Sequence, residues 1–82
     1  MFLSDYLYAI NYLAAALGSD MSICFTQVSC NVFGNSFIFA VDGSNERYIV
    51  WRGGLVEKVY NDTWRNPDHK EIITKGNGKE VW

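Results

Sequence analysis

Three short connections govern what this chain can become. Gly34-Asn35, Asp42-Gly43-Ser44-Asn45 and Gly53-Gly54 divide residues 22–60 into four runs: Ser22–Phe33, Ser36–Val41, Glu46–Arg52 and Leu55–Tyr60. Within the runs apolar and polar residues alternate, which is the period of a strand. Connections of this length can only turn the chain back beside itself, because a parallel neighbour needs a crossover of about a dozen residues. The four runs are therefore predicted to form an antiparallel meander, with Gly34-Asn35 and Gly53-Gly54 as two-residue hairpin turns.

Turn length sets register, and register decides which side chains share a face. These turns place Val32 opposite Phe37, Cys30 opposite Phe39, Val28 opposite Val41, Tyr48 opposite Phe39, Val50 opposite Phe37 and Val59 opposite Tyr48. One face then collects Val28, Cys30, Val32, Phe37, Phe39, Val41, Tyr48, Val50, Leu55 and Val59, which makes a core. Glu57, opposite Val50, is the one residue that does not suit it. The other face collects Gln27, Ser29, Asn31, Ile38, Ala40, Arg47, Ile49, Trp51, Val56, Lys58 and Tyr60.

Before Gly18 the period is helical. Leu3, Tyr6, Leu7, Ile10, Leu13, Ala14 and Leu17 form an apolar stripe over a helix of about residues 5–17. Ser4 is suited to cap it, Leu3 to staple onto Tyr8, Asp5 to meet the helix dipole, and Gly18 to stop it. Tyr8, Ala9, Tyr12, Ala15 and Ala16 occupy the reverse side, so the helix is apolar nearly all round and calls for a second cover. A second copy of the chain is the expected cover, making a homodimer with Tyr8 and Tyr12 as its self-association residues. Ala14-Ala15-Ala16 gives this stretch a passing likeness to a signal peptide, but Asp5 stands where a basic residue belongs, so it reads as a folded helix.

The rest of the chain, residues 61–82, is predicted to be irregular or to form a short hairpin. Asn61-Asp62-Thr63 and Asn66-Pro67-Asp68 read as loop, Glu71–Thr74 as a short strand, and Gly76-Asn77-Gly78 as a turn into Lys79–Trp82. At 82 residues, 49% hydrophobic, the chain has room for one core and a single domain spanning residues 1–82. The fold class expected is α+β, an N-terminal helix packed on one face of a four- or five-stranded antiparallel meander.

No apolar run reaches the roughly 20 residues of a membrane span, so no membrane partner is expected. Cys24 and Cys30, on one strand, would stand roughly 20 Å apart, beyond disulfide reach, which suits free thiols and a cytoplasmic location. The formal charge is −2, and residues 1–46 carry no Lys or Arg, whereas all seven bases lie in residues 47–82. A strong general affinity for nucleic acid does not follow from such a balance.

Catalytic and metal chemistry find little purchase. His69 is the one histidine, the cysteines lack CxxC spacing, and Asn61, Asp62 and Asp68 make no EF-hand loop, so no metal and no cofactor are expected. Neither a P-loop nor GxGxxG is present, and Asp68-His69 reads as two solvated neighbours. The Asn61-Asp62-Thr63 glycosylation pattern reads as chance. The chain is expected not to be an enzyme.

The aromatic and basic sheet face, built on Ile38, Arg47, Ile49, Trp51, Lys58 and Tyr60, is the candidate site. Solvent-facing strands are normally polar, so a surface of this kind needs a cover. Trp64, Ile73 or Trp82 could fold back over it; a protein could dock on it; or single-stranded RNA or DNA could stack on Trp51 and Tyr60, with Arg47 and Lys58 on phosphates. A protein partner is the expectation: a small non-enzymatic binding protein that modulates or inhibits a larger macromolecule, as a regulator, antitoxin or phage-type inhibitor does. Single-stranded nucleic acid is the alternative, and a small ribonuclease using Arg, Tyr and Lys the second alternative.

Overall fold

Asp5 lies in the first turn of helix α1 (Leu3–Leu17), where its charge meets the positive end of the helix dipole, and Gly18 follows at φ 70°, the left-handed stop. The structure, a computed structural model, describes residues 3–18, 28–41, 45–60, 65 and 68–82. The helix begins ahead of the expected residue 5, so Ser4 lies inside its first turn and does not cap it. The proposed staple rests on the Leu3 side chain, outside the described part.

Five strands follow: β1 (Val28–Phe33), β2 (Ser36–Val41), β3 (Glu46–Trp51), β4 (Val56–Tyr60) and β5 (Lys70–Thr74). They form one antiparallel sheet in the order β1-β2-β3-β4-β5, so each strand pairs with its neighbour in the chain. This is the expected α+β architecture, with the helix packed on one sheet face. The part of the first predicted run before Val28 lies outside the described residues.

The first two registers are the expected ones. Val28 pairs with Val41, Cys30 with Phe39 and Val32 with Phe37; Phe39 then pairs with Tyr48 and Phe37 with Val50. The third is displaced by one residue. Tyr48 pairs with Lys58, not Val59, and Ile49 pairs with Glu57. The cause is the turn. The Trp51 amide donates to the Leu55 carbonyl at 2.8 Å and the Gly54 amide to the Trp51 carbonyl at 2.9 Å, closing a three-residue loop of Arg52, Gly53 and Gly54. Gly54 takes φ 100°, which an L side chain rarely adopts, so the last residue of this loop is suited to glycine.

One added residue in the loop inverts the whole of β4. Val56, Lys58 and Tyr60 join the helix side of the sheet, while Leu55, Glu57 and Val59 leave it. The misfit at Glu57 disappears, and Val56 takes its place in the core.

That core is Ala9, Ile10 and Leu13 of the helix against Phe37, Phe39, Val50 and Val56 of the sheet, with Tyr6, Tyr12, Ala16, Leu17, Tyr48, Ile73 and Trp82 packed around it. Each large side chain buried here contributes roughly 1.5–3 kcal/mol. The helix is rotated from the expected stripe: Ala9, assigned to the reverse side, is fully buried, whereas Leu7 is 48% exposed. A β-bulge between Val56 and Glu57 in the pairing with β5 leaves Ile73 as the extra residue, packed on the core. The tail closes the same side, the Trp82 ring meeting Phe37 edge-on at 4.7 Å. The Val81 amide donates to the Arg52 carbonyl and Arg52 Nε to the Trp82 carbonyl.

Candidate functional site

The sheet face away from the helix is ordered in rows by the observed register. Ala40, Arg47, Val59 and Lys70 make one row across β2–β5; Ile38, Ile49, Glu57 and Ile72 make the next; Ser36 and Trp51 make a third. None of these belongs to the core cluster under the helix. Trp51 is 37% exposed and Ile72 50%, with Ile38 and Ile49 half-buried between strands.

Glu57 is the organising residue. Only 8% exposed, it accepts a hydrogen bond from Trp51 Nε1 on Oε1 at 2.7 Å and pairs through Oε2 with Lys70 Nζ at 3.1 Å. Both oxygens are engaged, so a carboxylate can sit among isoleucines without the desolvation penalty of an unpartnered charge. The bond also holds the indole of Trp51 against the sheet. Arg47 is different: it is exposed and has no ion-pair partner among the described residues.

Of the six residues expected to share this face, Ile38, Arg47, Ile49 and Trp51 do. Lys58 and Tyr60 do not, because the three-residue loop turned β4 over. They lie on the helix side, where Lys58 Nζ pairs with Glu46 at 3.2 Å and stands 5.6 Å from the centre of the Tyr60 ring, and Tyr60 stacks on His69 at 4.3 Å. In that group burial pushes the Tyr48 phenol up, and the hydrogen bond to Glu46 raises Lys58. Sequence reasoning missed Glu57, Lys70 and Ile72 as members of the site. Glu57 carried a signal, since a glutamate facing a core position marks a register that is off by one.

The other expected cover is absent among the described residues: Ile73 and Trp82 pack on the helix side, and Trp64 lies outside them. The tyrosine pair assigned to self-association is divided. Tyr8 is 59% exposed, but the Tyr12 hydroxyl donates to the Gly54 carbonyl at 2.8 Å and packs against the core. Cys24 lies outside the described residues, as does the side chain of Cys30. Among the described residues no helix is long and apolar enough to cross a membrane. Comparison of the chain with protein-family models, with curated proteins and with solved structures finds no match to any of them.

Proposed function

We propose that this chain is a non-catalytic binding protein that docks on a larger protein through the sheet face away from the helix, and modulates or inhibits it. The observation that carries the reading is the row of Ile38, Ile49 and Ile72 beside Trp51, apolar surface with no layer over it among the described residues. Tryptophan and isoleucine on a rigid sheet bury much area and lose few rotamers, which is how interface energy concentrates. The single-stranded nucleic-acid alternative is weakened, since Lys58 and Tyr60 face the other way and the acid Glu57 has joined the face. The ribonuclease alternative gains nothing from His69, whose ring neighbour is Tyr60. The tyrosine pair offers little for a homodimer, as the Tyr12 hydroxyl is engaged within the chain. A cytoplasmic setting belongs to the same proposal.

The test is capture from native lysate by the wild-type chain and by Ile49→Asp, each with and without nuclease. A protein retained by the wild type, lost with Ile49→Asp and indifferent to nuclease supports the reading. Retention that nuclease abolishes, or that Ile49→Asp leaves intact, removes it.

A further inference from the structure

The charges on the open face specify the chemistry of what it binds, an inference that rests on the binding role proposed above. Among the described residues, three charged side chains, Arg47, Glu57 and Lys70, lie with the apolar ones of this face. Lys70 and Glu57 neutralise each other, and both oxygens of Glu57 are already engaged. Arg47 is left over, exposed and without an ion-pair partner among the described residues. Among the described residues the face therefore presents one uncompensated guanidinium beside a band of isoleucines.

A partner that covers the band also takes Arg47 out of water. Burying a lone guanidinium is costly unless a counter-charge meets it. A second copy brings none: its own face carries the same surplus cation, so two faces packed together enclose like charges. A nucleic acid brings too many, because one free cation cannot neutralise the several phosphates that an isoleucine-lined strip would draw in. A carboxylate fits, since the planar fork of Arg donates to its two oxygens side by side.

We propose that the occupant is a segment of a different protein, apolar along one side and carrying an Asp or Glu set over Arg47. Arg47 and Ile49 lie two residues apart on β3, so that carboxylate sits roughly 7 Å from the partner's apolar anchor.

The probe is a display library of random peptides, panned on the full chain and on its Arg47→Glu and Ile49→Asp variants, with thermal melts to show that each variant remains folded. Peptides enriched on the wild type are expected to be apolar and acidic and to lose binding to Ile49→Asp. They should weaken by about tenfold or more on Arg47→Glu, and panning on Arg47→Glu should instead enrich Lys and Arg. Peptides that lose Ile49→Asp yet ignore Arg47→Glu leave the docking face standing and overturn the acidic partner. Peptides that ignore both variants overturn the docking face itself. A reversible wild-type dimer in sedimentation that Ile49→Asp dissolves would make a second copy the occupant and end the proposal.

Discussion

Gly54 and Gly76 meet backbone to backbone, and neither could be another residue without cost. A Cβ on Gly76 would stand 2.6 Å from the Gly54 carbonyl carbon, at a φ of 75° that L side chains avoid. Gly76→Ala is expected to lower stability by more than about 2 kcal/mol, measured by urea unfolding. Gly53→Ala meets nothing within 4 Å and serves as the near-neutral control. Tyr12→Phe removes the donor to the buried Gly54 carbonyl and should cost about 1 kcal/mol in the same assay. At Trp51→Phe the Glu57 carboxylate loses its indole donor, and about 1–2 kcal/mol of destabilisation is expected, restored in part by Glu57→Gln in the double variant.

At the scale of elements, the loop between β3 and β4 decides the composition of both sheet faces. Deleting Gly53 leaves a two-residue connection, which demands the inverted register and returns Glu57 to the core. Circular dichroism and urea titration should show loss of cooperative unfolding, whereas Gly53→Ala keeps it. The same loop explains what could be read in advance. Gly34-Asn35 and the four-residue connection before Glu46 each allow one pairing, and β1, β2 and β3 align as expected. Arg52-Gly53-Gly54 allows two, because Gly-Gly suits a two-residue turn and a terminal Gly equally suits a three-residue loop. Only burial chooses between them, and burial is a property of the assembled sheet. Glu57 was the one legible sign. Four of the six candidate-site residues, Ile38, Arg47, Ile49 and Trp51, survived because β2 and β3 were correctly registered; Lys58 and Tyr60 were lost with β4. The helix was misplaced in rotation because its residues are apolar nearly all round, so periodicity alone could not select Ala9 over Leu7.

At the scale of the whole molecule, the helix-side cluster of Tyr48, Glu46 and Lys58 links stability to alkaline pH. Both shifted groups are raised, Tyr48 by burial and Lys58 by its bond to Glu46. A raised group holds its proton more tightly when folded, so its stabilisation is complete below the unfolded values of 10.0 and 10.5 and declines as pH rises through the folded ones. Thermal melts across the alkaline range should fall above about pH 10, and Tyr48→Phe should flatten that fall while leaving neutral pH behaviour close to wild type.

The meander carries a consequence for synthesis. The helix leaves the ribosome before the sheet: among the described residues, the strands that bury Ala9, Ile10 and Leu13 are encoded after it, and the Trp82 that closes the layer follows them. A segment of this length is barely helical on its own in water. The nascent chain must therefore carry this greasy helical stretch, unsheltered, until the successive hairpins have emerged to receive it.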